Sequence, residues 1–171
     1  EALQIDSTKK TEILPRFGMQ WILPAGFEQL EYYGKGPQEN YQDRDFSANV
    51  GIYVQSVKEQ YFPYVTPQET GNKTGIRWFK ILNKSSKGLL VSAASPLSMS
   101  ALHYFDSDLD DGDKRHQRHA ADLVPRPQTQ LNIDLKQMGV GGIDSWRSRP
   151  LTKYQLPFAD YQFTFKIKPI N

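Results

Sequence analysis

LNIDLKQMGVGGIDSWRSRP, residues Leu131–Pro150, joins a regular strand pattern to the most unusual loop of the chain. Leu131, Ile133 and Leu135 alternate with Asn132, Asp134 and Lys136. A period of two puts one set on each face of a β-strand, with the apolar set facing a core. The pattern then breaks into Gly139, Gly141 and Gly142, which permit a sharply turned backbone. Asp144 and Ser145 lead to Trp146, followed by Arg147 and Arg149. A large aromatic on a glycine-rich loop is poorly placed to build a core. It is well placed to offer a flat apolar face, and the C–H face of a pyranose sugar is a ligand that stacks on indole.

Working outward, the same alternation recurs at Phe163, Phe165 and Ile167 against Gln162, Thr164, Lys166 and Lys168. Val50–Val57, Ile76–Leu82 and Leu89–Ala93 are apolar and partly β-branched, and Phe27–Tyr33 reads as a strand ending at Gly34. Turn residues separate them at Pro24–Gly26, Gly71–Asn72, Ser85–Gly88 and Pro157. Only Ser107–His119 has a helical look, and it is short and strongly polar. Many short strands between regular turns predict an all-β sandwich or barrel. Residues 1–12 read as a linker or the tail of a preceding domain, and 13–171 as one β-sandwich domain.

Composition narrows the function classes. The 171 residues carry 21 Lys and Arg against 19 Asp and Glu, a net charge of +2, so nothing electrostatic favours nucleic acid or a membrane surface. There is no run of 18 apolar residues. The absence of cysteine excludes disulfides and thiol chemistry, and fits a cytoplasmic or a periplasmic setting alike. The N-terminal EALQIDSTKKTE lacks the basic start and apolar centre of a signal peptide, which carries no information about a longer parent.

Several constellations suggest chemistry and then fail on spacing. Asp106, Asp108, Asp110, Asp111 and Asp113 invite a calcium loop. Counting from Asp106, the sixth position holds Asp111 in place of glycine and the twelfth holds Gln117 in place of glutamate. Counting from Asp108, those positions hold Asp113 and His119. A solvated acidic turn facing Lys114, Arg115 and Arg118 is the better reading. His116 and His119 are three apart but have no third ligand at zinc-like spacing. No G-x-S-x-G elbow occurs. Glu39, Asn40, Asp43 and Arg44 surround a turn after Gly36–Pro37. They read better as a polar network bracing a loop, with Arg44 on a carboxylate, than as ligand contacts. The same two readings apply to Glu69, Asn72 and Arg77. His103 reads as a satisfied histidine on the sheet, or as a contact to a sugar hydroxyl.

Three blocks, GKGPQENYQDR (Gly34–Arg44), PYVTPQETGNKTGIRW (Pro63–Trp78) and LNIDLKQMGVGGIDSW (Leu131–Trp146), occur in order at characteristic separations. Together they resemble the C-terminal β-sandwich domain of lacZ-type β-galactosidases, from about Leu14 to Lys168. The resemblance implies an antiparallel supersandwich of galactose-mutarotase-like type. It implies a domain without catalytic residues of its own, since in that family both catalytic glutamates, and the Mg and Na ligands, lie in a separate barrel. No cofactor is implied for this domain. Gly139, Gly141, Gly142, Ser145 and Trp146 match the family loop whose tryptophan reaches the barrel's pocket and stacks on substrate. Ile143, where the bacterial type enzyme has a second acidic residue, and Arg147, where a small or polar residue is usual, depart from the pattern. The implied function is to complete the pocket of a retaining hydrolase of terminal β-D-galactosides. The implied partners are a β-galactoside or galactose and the remaining domains of the enzyme, with no nucleic acid and no membrane. The candidate substrate-binding residues are Trp146, Ser145, Asp144, His103, Glu69 and Arg77, with no metal ligand. A free-standing carbohydrate-binding module and a mutarotase-type epimerase share the fold and remain the alternatives.

Overall fold

The structure is a computed structural model, and it describes residues 2–3, 13–110, 112, 118–141 and 148–171. Eleven strands are described: Ala2–Leu3 (β1), Ile13–Leu14 (β2), Arg16–Leu23 (β3), Gln29–Gly36 (β4), Asn49–Ser56 (β5), Lys73–Leu82 (β6), Gly88–Leu102 (β7), Thr129–Gln137 (β8), Leu156–Pro157 (β9), Tyr161–Gln162 (β10) and Phe165–Ile170 (β11). The chain is all-β, as the period-two runs require. Six strands form an antiparallel sheet in the order β3-β8-β7-β6-β4-β5, and β11 joins it by pairing with the first part of β7. The strands β1–β10 and β2–β9 form two short antiparallel pairs, so Ala2–Leu3, within the stretch read as a linker, is tied to the end of the domain.

The core follows the alternation. Leu30 and Tyr32 of β4, Ile76, Phe79 and Ile81 of β6, Val91, Leu97, Met99 and Ala101 of β7, and Leu131 and Ile133 of β8 form one cluster with Phe17, Leu156 and Phe163. Phe17 lies 5.5 Å from both Tyr161 and Phe163, ring centre to ring centre, which closes the core at the sheet's β3 end.

The structure extends the sequence reading in one place and corrects it in others. The polar side of β8 is buried as well: Gln130, Asn132 and Asp134 lie inside with their apolar neighbours. Gln130 and Asn132 are satisfied by a side-chain ladder, Gln130 bonding Asp106 through its amide N–H and accepting from the Asp106 N–H. Asn132 donates to Ser100 Oγ at 3.0 Å, and Gln20 donates to Asn132 at 3.2 Å and to Asp106 at 2.8 Å. Burial of polar groups is tolerable where such partners exist. Next, of the helix expected over Ser107–His119, the described residues show one turn, Asp106–Leu109 (α1). Leu109 is its only buried residue, and Arg126 pins it through paired bonds to Asp108 of 2.5 and 2.6 Å. His119 is extended, and residues 111 and 113–117, including His116, lie outside the described residues. Lastly, β7 runs on well past Ala93, and β3 is an additional strand. Its pairing with β8 shifts register between Phe17 and Gly18, where Leu135 of β8 is the extra residue.

That shift has a cause. Gly18 faces Asp134, and a Cβ on Gly18 would stand 2.1 Å from Asp134 Oδ1 and 2.5 Å from the Ile133 carbonyl oxygen. A glycine here lets a buried carboxylate lie across the neighbouring strand.

Candidate functional site

The ladder of polar side chains on β8 ends at a cleft of about 870 Å³, whose lining includes Arg16, Glu69, Asp106, Tyr64 and the backbone of Gly139–Gly141. All three distinctive sequence blocks contribute to it. Its floor is ionic. The Arg16 guanidinium donates to Glu69 Oε2 at 2.8 Å, and its Nε lies 3.7 Å from Asp134 Oδ2. Burial pushes the Asp134 carboxyl up to about 7; Arg16 opposes the rise, and Glu69 and Asp106 add to it. Glu69 is raised in the same way, by burial against the pull of Arg16. Two buried acceptors at this floor, Asp134 Oδ2 and Gln137 Oε1, have no hydrogen-bond donor among the described residues.

One wall is a brace built on Glu39. Its Oε1 accepts from Arg44 at 2.6 Å and from the Tyr64 hydroxyl, and its Oε2 accepts from the Gly71 N–H at 2.7 Å. Arg44 also stacks over the Tyr41 ring at 5.0 Å. Asn40 and Asn72 tie the same two loops together: Asn40 N–H donates to the Asn72 carbonyl, and Asn72 Nδ2 donates to the Asn40 carbonyl, both at 2.8 Å. Lys73 lies buried beside this brace, and desolvation pushes its ammonium down to about 8.

The opposite wall is the root of the tryptophan loop. Asp43 accepts from the N–H groups of Val140 at 3.1 Å and Gly141 at 2.8 Å. Gln42 donates to the carbonyls of Gln137 at 2.6 Å and Tyr154 at 2.7 Å, and Gly139 N–H donates to the Tyr154 carbonyl at 2.7 Å. Gly141 sits at φ 69°, and a Cβ on Gly139 would stand 2.4 Å from the Asp43 carboxylate. Those glycines are therefore required by the turn and by the close approach of Asp43.

A family model described as beta galactosidase small chain matches residues 1–167. The chain belongs to the β-galactosidase small-chain family. The β-galactosidase of Priestia megaterium is 39% identical over 159 residues, 92% of this chain and 15% of that protein. That of Bifidobacterium adolescentis is 38% identical over 159 residues, 91% of this chain and 14% of that protein. That of Vibrio cholerae is 34% identical over 157 residues, 91% of this chain and 14% of that protein. The small-chain domain thus spans about 15% of the length of the curated relatives it matches.

Of the six candidate substrate-binding residues, the structure brings Glu69 to the cleft. Trp146, Ser145 and Asp144 lie outside the described residues, on the loop whose root forms the wall. His103 is placed elsewhere: its Nε2 lies 2.9 Å from Glu28 Oε2 and its Nδ1 3.0 Å from the Gln128 carbonyl, a fully partnered ring. Arg77 is exposed, donates to the Gly75 carbonyl at 3.0 Å and stacks over Tyr33 at 5.0 Å. Sequence reading missed Arg16 and Asp134. Arg16 lies outside the three blocks, and the alternation at Asp134 does not tell what covers the polar face of its strand. Among the described residues, no group of three or more His, Cys, Asp or Glu is arranged to hold a metal ion, and no helix is long and apolar enough to cross a membrane.

Proposed function

We propose that this chain is a domain of a retaining β-galactosidase acting on terminal β-D-galactosides, and that its role is to complete the sugar pocket while the catalytic carboxylates stand in another domain. The observation that carries the reading is the construction of the loop root. Asp43 and Gln42, from the first block, hold the backbone of the third block at the mouth of the cleft. A fixed root is what a loop needs if it is to place one aromatic reproducibly against a ligand. Trp146 is the stacking residue in this proposal, with Asp144 and Ser145 beside it to meet sugar hydroxyls.

Retaining hydrolysis needs two carboxyl groups about 5 Å apart on either side of the scissile bond. The two glutamates of the distinctive blocks are committed otherwise. Glu39 is enclosed by its donors, and Glu69 is paired with Arg16. Both are better suited to hold loops than to attack an anomeric carbon. The Mg and Na of the parent family belong, in this reading, to the domains that carry the chemistry.

The test is Trp146→Ala in the complete enzyme. Loss of stacking, at about 0.5–1.5 kcal/mol, together with lost apolar burial, at about 25 cal/mol per Å², should weaken galactoside binding by about one decade or more in affinity. The melting temperature should stay nearly unchanged. A large loss of stability with ordinary substrate affinity would mean that the indole is a packing element and the proposal is wrong.

A further inference from the structure

The outer face of β5 is built for contact. Val50, Ile52 and Val54 alternate along the strand on one side and are 49%, 63% and 76% exposed. Tyr53, on the opposite side, turns inward onto Tyr32 at 5.3 Å. Phe46, fully exposed, lies in the turn just before the strand. Beside the exposed row, Lys80 donates to Glu31 at 2.9 Å, Lys35 bonds Asp45, and the Arg77 guanidinium lies over Tyr33, the cross-strand neighbour of Ile52. The row itself is apolar, and contiguous apolar surface on a folded domain marks a site of association.

The strand's free edge leads to the same conclusion independently. β5 ends the sheet, pairing with β4 alone among the described residues. Free-standing edges are normally protected by lysine, proline, a bulge or a very short strand. NVGIYVQS has eight residues, no charge and no proline, and its register with β4 runs unbroken from Gln29↔Ser56 to Gly36↔Asn49. An edge so bare lacks the usual protection against pairing with another chain.

We infer that β5 is the face through which this domain docks onto an apolar surface of the remaining β-galactosidase domains. The inference rests on the proposed membership in a larger enzyme. It favours that occupant over a second copy of the chain on two grounds. The relatives continue far beyond this region, which is 15% of the Priestia megaterium protein. And a stripe of a few side chains, on the order of a few hundred Å², falls short of the roughly 800 Å² per partner that a stable association of separate molecules buries, whereas a neighbouring domain docks on less surface because it is held close.

Two variants of the complete enzyme test this. Val54→Cys should react with a maleimide at least tenfold more slowly in the native enzyme than after unfolding in urea. Equal rates would overturn the inference. A photo-crosslinking phenylalanine analogue at position 52 should join to a peptide outside residues 1–171. Crosslinking to β5 of a second copy, or no crosslink at all, would also overturn it. Turnover of a β-galactoside by the same preparations keeps the two readings separable. An enzyme that is active but freely labelled at position 54 refutes the docking face alone, and one that never hydrolyses galactosides refutes the larger function.

Discussion

At the scale of single residues, the cleft floor is a cluster in which one guanidinium serves more than one carboxylate. Arg16 is committed to Glu69 at 2.8 Å and reaches Asp134 only at 3.7 Å. Burial raises the Asp134 carboxyl from an ordinary 3.8 to about 7 in the folded state, and Arg16 offsets only part of the rise. A raised carboxyl adds stability that is fully present below its unfolded value and is lost as pH rises through its folded value. Glu69 is shifted in the same direction. The expected outcome is a urea midpoint that falls between about pH 4 and pH 8, and a shallower fall in Asp134→Asn, where the amide cannot titrate. An unchanged slope in the variant would remove Asp134 as the source. Asp43 makes the second residue-scale prediction. Its carboxylate accepts two consecutive N–H groups at the root of the tryptophan loop. Asp43→Ala removes the acceptor of both N–H groups at a partly solvated loop root, where water can take its place, so the loss falls on the position of the loop more than on global stability. If Trp146 acts as proposed, the complete Asp43→Ala enzyme should show a several-fold rise in KM for galactosides while global unfolding shifts little.

At the scale of elements, β3 and β8 show where alternation stops being sufficient. The period of two at Leu131–Leu135 places Leu131 and Ile133 in the core correctly. It says nothing about what covers the other face, because a ladder such as Gln20–Asn132–Ser100 depends on side chains far apart in the chain. β3 hides for a related reason. Its inward residues Phe17, Met19, Trp21 and Leu23 keep a period of two, but Gly18 and the exposed Ile22 blur the contrast between the faces, and the extra residue at the register shift, Leu135, belongs to β8. β7 was legible only to Ala93. Beyond it come Pro96 and small residues, and β6 changes register against it between Ile76 and Trp78. Gly18→Ala tests the β3–β8 account. The added methyl would meet a backbone carbonyl at 2.5 Å as well as the Asp134 carboxylate at 2.1 Å. Backbone cannot yield as a side chain can, so the loss should be about 1–3 kcal/mol, the usual cost of overpacking. Thermal unfolding of the expressed chain measures it, and a neutral result would mean that the strands separate here at little cost.

At the scale of the whole molecule, the three blocks were legible as motifs, but their convergence on one cleft was not. Gly34–Arg44, Pro63–Trp78 and Leu131–Trp146 are separated by whole strands, and only the sheet order brings Asp43 to Gly141 and Glu69 to Arg16. His103 and Arg77 lie against partners of their own, His103 on Glu28 and the Gln128 carbonyl, Arg77 on the Gly75 carbonyl and the Tyr33 ring. The arrangement also bears on where the chemistry resides. If the carboxylate pair belongs to another domain, residues 1–171 alone should leave a chromogenic β-galactoside unhydrolysed even at high protein concentration. Glu39→Gln and Glu69→Gln should then have no turnover to abolish, and Glu39→Gln should show itself in stability. It weakens a brace that now accepts from Arg44, Tyr64 and the Gly71 N–H, and losing charge-assisted bonds of this kind costs about 1.5–3 kcal/mol each. The opposite result is equally readable. Turnover that survives purification and disappears in Glu39→Gln or Glu69→Gln, with the melting temperature unchanged, would make those carboxylates catalytic and the chain an enzyme in its own right.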